Sequence, residues 1–326
     1  MVGRPLKTIL FLLTLYSCGP VIPIDNPLVP STEPSKEFDP SLQGANLRIF
    51  VLDVGQGDAT LVMGPGSDGR TLLIEAGPFG EGVTTVLPLL NSLGVSSLDW
   101  IVATHYDADH LGGIPEVLKG PDQVLGTDDD ILPTIDLLDR GDFTDKSTSI
   151  YRDYIEIASP FRTEATPGMQ LNLGEGAFAK IIVVNGHYSD GTIIHLNPDE
   201  ENEACIGLLI QYGDFRYFTA GDLTGGGSPG GYESKDMETI AGEIIGDIDV
   251  LHVGHHGSET STNRNFLDLI KPEAAMISVG RDNDYGHPTQ TALQRLDEIG
   301  ASIYRTDLMG TLEIDADGNR FEIAPR

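Results

Sequence analysis

The chain is poor in cysteine, tryptophan and positive charge. Its 326 residues include two cysteines and one tryptophan, and 20 Lys and Arg stand against 50 Asp and Glu, a formal net charge of −30. Cys18 and Cys205 alone exclude a disulfide scaffold and a four-cysteine zinc site. So few basic residues cannot form the broad cationic surface that releases counterions from duplex DNA, and strong duplex binding is not expected. No apolar run reaches the ~20 residues that a membrane-spanning helix needs. The Gly-Lys-Ser/Thr phosphate loop is missing, and Gly55-Gln56-Gly57 lacks the third glycine of a dinucleotide turn. Gly226-Gly227-Ser228-Pro229-Gly230 has the spacing of a nucleophile elbow, but Pro229 and the flanking glycines read as a loop. What remains is 40% apolar residues, enough for a large core, and a surplus of carboxylates. That surplus suits a self-repelling soluble surface or an acidic pocket offset by bound metal.

The first residues read as a delivery segment. Arg4 and Lys7 precede an apolar stretch from Thr8 to Tyr16, the length of a secretion-signal core. Leu15-Tyr16-Ser17-Cys18 resembles the bacterial lipoprotein processing box, whose cysteine is lipidated and becomes the mature N-terminus; Tyr16 stands where that box has a small residue. The expectation is a signal peptide over 1–18, a proline-rich tether over 19–46 and a single domain over 47–326. Pro20, Pro23, Pro27, Pro30, Pro34 and Pro40 keep the tether extended. The protein is then exported and held by lipid at a periplasmic or cell-surface membrane. With Cys18 acylated, Cys205 has no partner and no disulfide is expected.

Beyond the tether, alternating apolar residues predict strands over 46–54, 59–64, 71–76 and 98–104, and again over 178–184, 206–212, 215–220, 249–253, 274–279 and 302–305. Helical spacing predicts helices over 82–93, 236–246, 263–270 and 289–299, and Asp317-Gly318 marks a last hairpin. Strands outnumber helices in each half, which suits two sheets enclosed by outer helices. The polar stretch from Asp122 to Gly168 reads as a surface excursion facing substrate.

The strongest chemical signal is Thr104-His105-Tyr106-Asp107-Ala108-Asp109-His110-Leu111-Gly112-Gly113. Four metal-ligand side chains fall within six residues, between a buried strand and a helix. His105 and Asp107 alternate to one side of an extended turn and suit one cation. Asp109 and His110 point to a second. Two cations roughly 3.5–4 Å apart clamp both the attacking and the leaving oxygen of a hydrolysis.

Together with Phe50-Val51-Leu52-Asp53-Val54-Gly55-Gln56-Gly57-Asp58-Ala59, Thr219-Ala220-Gly221-Asp222, the stretch Asp249 to Ser258 and the stretch Ser278 to Pro288, this cluster resembles the metallo-β-lactamase superfamily. The short form His-x-Asp-x-Asp-His is similar to the hydrolase domain of ComEC-type DNA-uptake proteins. The resemblance covers nearly all of residues 47–326 and implies an α/β fold, a four-layer αββα sandwich. Carried over position by position, it makes His105, Asp107, Asp109 and His110 ligands, with Asp222 bridging two divalent ions. It places His287 as a ligand of the second ion, with His255 and His256 nearer the phosphate or leaving group; the alternative makes His255 the ligand and His287 an outer residue. Asp58 would orient a ligand histidine from behind. His187 is the one nearby candidate for the histidine that usually follows a middle strand, although a loop role suits it better. The sequence departs from the family in Asp107, where histidine is usual, in Glu75 of Ile74-Glu75-Ala76-Gly77, where aspartate is usual, and in Cys205, where serine is usual. Asp107 hardens the site and leaves zinc and manganese both open.

The chemistry so implied is metal-assisted hydrolysis, most simply a phosphodiesterase or nuclease in which a hydroxide bridging the two cations attacks phosphorus. Asp109 would orient that hydroxide or take its proton, and His255 or His256 would protonate the leaving oxygen. The substrate is expected to be a phosphoester, with single-stranded DNA one option. A choline-phosphate esterase of the cell envelope and a non-catalytic lipid-anchored binding module are the alternatives. No feature signals an obligate protein partner.

Overall fold

In the computed structural model, residues 46–142, 148–228 and 233–326 are described. The segments predicted as signal peptide and tether up to residue 45, with the predicted acylation site Cys18, lie outside them. Strict alternation makes Leu47–Val51 a strand with two apolar faces: Leu47, Ile49 and Val51 point to one buried cluster, Phe50 and the following Leu52 to another. That strand is paired antiparallel on both sides, Ile49 facing Ile314 and Val62.

It belongs to an eight-stranded sheet that runs Phe321–Pro325, Leu312–Ala316, Leu47–Val51, Thr60–Met63, Thr71–Ile74, Leu98–Ala103, Pro133–Asp139 and Arg162–Glu164. From Thr71–Ile74 onward the pairing is parallel. The second sheet runs Ser302–Arg305, Ala274–Ile277, Val250–His252, Phe215–Thr219, Gly207–Tyr212, Ala177–Val184 and Gln170–Gly174, with His187–Tyr188 added to Ala177–Val184. Its first four strands are parallel, and the central ones are continuously buried, as expected for strands covered on both faces.

Three apolar clusters separate four layers. Ile49, Val62, Ile181 and Tyr217 meet between the sheets. Outside the first sheet, Phe50, Leu73 and Ile101 pack against Leu90, Val117 and Tyr154 of the helices Leu87–Ser92, Ile114–Leu118 and Ser149–Ala158. Outside the second, Ile182, Leu251 and Ala275 pack against Ala241, Phe266 and Leu296 of the helices Glu238–Ile245, Arg264–Ile270 and Gln290–Glu298. This is the αββα sandwich expected from the sequence.

Only the start of the stretch from Asp122 to Gly168 is a surface excursion: residues 122–130 are turns and largely exposed, and the later elements belong to the sandwich. Pro133–Asp139 and Arg162–Glu164 extend the first sheet, and Ser149–Ala158 packs over it, burying Leu137, Leu138 and Tyr154. The segment looks polar because it buries charge in pairs. Arg140, wholly enclosed, bonds Glu201 at 2.7 Å, and Arg162 bonds Asp139 at 2.5 Å. Paired in this way, ionic groups can enter a core that would reject them singly.

Because Thr71–Ile74 and Leu98–Ala103 are parallel, as are Phe215–Thr219, Val250–His252 and Ala274–Ile277, the loops after these strands leave at C-terminal edges. Glu75, His105 to His110, Asp222, and His255 with His256 all lie on those loops. Such strand ends are where open parallel sheets usually place ligands.

Candidate metal centre

The rear of the centre is a set of orienting groups. Glu75, buried and left-handed at φ 59, ends the strand Thr71–Ile74 and puts its Oε1 3.0 Å from His110 Nδ1. The Thr104 hydroxyl donates to the same Glu75 oxygen and lies 3.0 Å from His105 Nδ1. Asp58 completes this wall, with Oδ2 4.0 Å from His110 Nδ1 and Oδ1 3.0 Å from His252 Nε2; His252 Nδ1 in turn meets the Tyr217 hydroxyl at 2.9 Å. Carboxylates behind His105 and His110 fix the rings so that both Nε2 atoms face forward.

In front, the two oxygens of Asp222 face different neighbours. Oδ1 lies 3.2 Å from His110 Nε2 and 3.6 Å from His256 Nε2, while Asp109 Oδ2 is 3.9 Å and 3.4 Å from those same nitrogens. Oδ2 lies 3.9 Å from His105 Nε2 and 3.6 Å from His255 Nε2, and Asp107 Oδ2 is 3.8 Å from His105 Nε2. One group is thus Asp109, His110 and His256, the other His105, Asp107 and His255, and Asp222 stands between them. His105 Nε2, His110 Nε2, His256 Nε2 and Asp222 Oδ1 are buried without a hydrogen-bond partner. Buried donors and acceptors are normally paired, so converging lone pairs of this kind fit divalent cations. Asp109, His110 and His256, and separately Asp58, His110 and Asp222, offer atoms within 4.8 Å of one another.

The charge balance points the same way. Burial would raise the Asp222 carboxyl, but His110, His255 and His256 hold it well below the usual range. Burial would lower His256, yet Asp222 and Asp109 lift it to about 9, and Glu75 and Asp222 likewise lift His110. Without metal, protons on these imidazoles occupy the place between the carboxylates that suits a cation. His287 behaves differently: burial and the neighbouring rings of His255 and His256 push it down to about 4, so it stays neutral.

Backbone shape allows the convergence. His255 and His256 both take left-handed φ, 50° and 52°, and this turn sends one ring to each group. A Cβ on Gly221 (φ +51) would lie 2.3 Å from Thr104 Oγ1 and 3.2 Å from Glu75 Oε1. One on Gly57 would lie 2.2 Å from the Asp109 carbonyl oxygen, where the Asp58 N–H donates at 3.2 Å. Only glycine lets these loops close to such distances.

Of the residues singled out in the sequence, the structure brings His105, Asp107, Asp109, His110, Asp222, His255 and His256 together. His287 stands beside them, its ring centroid 5.5 Å from His255 and 6.4 Å from His256, its Nδ1 buried without a partner and Tyr285 stacked on it at 5.8 Å. His187 is exposed and lines a separate cleft of about 530 Å³ with Arg162, Asp142 and His195. Cys205 is buried with its thiol beside His105. Sequence reasoning gave no orienting role to Thr104 or His252. A histidine inside the apolar strand Val250–His252 was the available signal, since a buried imidazole needs partners on both nitrogens.

Comparisons with known proteins show what the chain is similar to. The family model described as the metallo-beta-lactamase superfamily matches residues 52–197. ComE operon protein 3 of Bacillus subtilis is 26% identical over 281 residues, 81% of this chain and 32% of that protein. Competence protein ComA of Neisseria gonorrhoeae is 29% identical over 267 residues, 81% of this chain and 32% of that protein. The chain therefore spans about a third of the length of these curated relatives. A crystal structure described as a metal-dependent hydrolase of the beta-lactamase superfamily is 13% identical, with a TM-score of 0.46, over 79% of this chain and 95% of that one. No helix among the described residues is long and apolar enough to cross a membrane. With its two sheets and its converging histidines and aspartates, the chain has the metallo-β-lactamase fold, and over residues 52–197 it is similar to the metallo-beta-lactamase superfamily and, over most of its length, to part of ComEC-type competence proteins.

Proposed function

We propose that the domain is a phosphodiesterase that uses two divalent cations, zinc or manganese. The observation that carries this reading is the division of Asp222 between two sets of unpartnered ligand atoms. His105, Asp107 and His255 would hold one cation, Asp109, His110 and His256 the other, with Asp222 shared; His256 thereby takes the place that the sequence suggested for His287. Bound there, the cations supply Lewis acidity and bring the pKa of water toward neutrality. Glu75 and Asp58 keep the ligand rings in their tautomers, and Thr104 steadies His105. Asp109, partly exposed at the front, orients the attacking water. His287, neutral and with Nδ1 free, is placed to hydrogen-bond a phosphoryl or leaving oxygen.

The relative named for competence supports a nucleic-acid phosphodiester over other phosphoesters. The leader-like residues 1–18 support delivery out of the cytoplasm with Cys18 acylated. The test is turnover of bis-p-nitrophenyl phosphate by the zinc- or manganese-loaded protein, with Asp222→Asn as the inactive control. A folded protein that binds either metal and turns over no phosphodiester would instead be a binding module.

A further inference from the structure

Phe79 and Tyr285 are 73% and 71% exposed, and they are the two exposed aromatic side chains among the described residues. Both sit on loops of the metal centre. Phe79 follows Glu75 by four residues, and its backbone N would lie 2.4 Å from a Cβ on Gly112, two residues beyond His110. Tyr285 stacks on His287. The contacts run from Phe79 through Gly112 and His110 to His256, 5.0 Å from His110, and then to His287 and Tyr285. Along this path the centre lies between the two loops that carry the rings.

Besides the cations and His287, the loops that build the centre offer phosphate little grip, since Arg281, on the loop after Ala274–Ile277, is bonded to the Asp307 carbonyl oxygen at 2.9 Å. Residues 75–81, 104–113, 219–224, 253–262 and 283–289 contain no Lys or Arg. A polynucleotide bound here meets Lys119 in the cleft that Phe79 lines, but no run of cations along these loops. A singly exposed aromatic ring is ordinary, but one on each side of an anionic-substrate site offers a flat apolar face to an occupant of matching shape. Unpaired nucleobases meet that need, since every base has a π-face and stacking tolerates any sequence. A duplex cannot, because its bases are already stacked.

Taking the phosphodiesterase reading as its basis, we propose that Phe79 and Tyr285 are positioning residues that stack unpaired bases on the two sides of the scissile phosphodiester. They act on substrate binding, and the cations and His287 act on phosphorus. Single-stranded nucleic acid is then recognised through its bases and almost independently of its backbone charge.

The test uses the metal-loaded full chain and two oligonucleotides of equal length, one of thymidines and one whose sugars carry no base. Wild type should show a lower KM for the base-bearing strand. Phe79→Ala and Tyr285→Ala should each raise that KM at least about fivefold, more than they lower kcat, and leave the abasic KM in place. Phe79→Trp should restore it. Cleavage of both strands at one KM by wild type, or variants that slow both strands alike, would overturn the stacking role alone. Cleavage of neither strand would remove the phosphodiesterase reading beneath it. A KM for p-nitrophenyl phosphorylcholine that rises in the two variants, with no change for the thymidine strand, would assign the rings to a quaternary ammonium group and overturn the assignment to bases.

Discussion

Removing the metal should make the fold sensitive to alkali. His256 is enclosed between Asp222 and Asp109, and its imidazole is lifted from 6.5 to about 9 in the metal-free protein. A group that binds its proton more tightly when folded stabilises the fold fully below about pH 6.5 and loses that contribution as pH rises to about 9. At ~1.4 kcal/mol per pH unit, the rise from 6.5 to about 9 is worth about 3 kcal/mol, and His110 adds to it in the same direction. Urea unfolding of the chelator-treated protein at pH 6, 7, 8 and 9 should therefore show stability falling by about 3 kcal/mol or more. The zinc- or manganese-loaded protein should lose far less, because the cation replaces the proton. General repulsion from a net charge of −30 would also weaken the fold at high pH. His256→Gln separates the two effects: it should flatten the metal-free profile, whereas surface repulsion would leave the slope in place. A metal-free profile that is level or rising between pH 6.5 and 9 would refute the account of the site.

Asp58→Asn should cost about 2 kcal/mol in metal-free protein at pH 7. Burial would raise this carboxyl, but the His252 imidazole bonded to it, with His256 and His110 nearby, holds it near 2 against 3.8. A depressed pKa stabilises above the unfolded value, so the gap between wild type and variant should shrink to roughly half by pH 3, read from urea midpoints. Gly221→Ala should destabilise by about 1–3 kcal/mol in thermal unfolding and weaken metal binding, since its Cβ would press on Thr104 and Glu75 from a left-handed backbone. Elemental analysis should find metal stoichiometry reduced in His256→Ala and unchanged in His287→Ala, with turnover lost in both; equal metal loss in both variants would return His287 to the ligand set.

Most of the sandwich could be read from alternation, because strands such as Leu47–Val51 face apolar layers on both sides and glycine-rich turns separate them. The dense His105–His110 run was equally plain, as ligands so close in sequence must share a turn. Which of His255, His256 and His287 reach the centre was not legible: the sequence left His255 and His287 as alternatives and kept His256 near the leaving group. Each follows a parallel strand, and what decides the reach is the left-handed turn at residues 255 and 256, which the sequence does not announce. The role of Glu75 was hidden because the longer side chain looked like a departure from a pattern, whereas its length lets one oxygen serve both His110 and Thr104. The strands at 133–139 and 162–164 escaped because paired buried charges imitate a surface segment.

The strand that opens the domain has its neighbour at the far end of the chain: Arg48 and Glu313, bonded across that pairing, are 265 positions apart. A ribosome adding about 5–20 residues per second needs on the order of ten seconds to a minute to cover that distance. Throughout this interval Leu47–Val51 has one ladder edge without its mate, open to association with other nascent chains. Yield of intact protein should thus depend on holdase supply and on translation speed, and a stop codon before Leu312 should leave a product that aggregates instead of a smaller working enzyme.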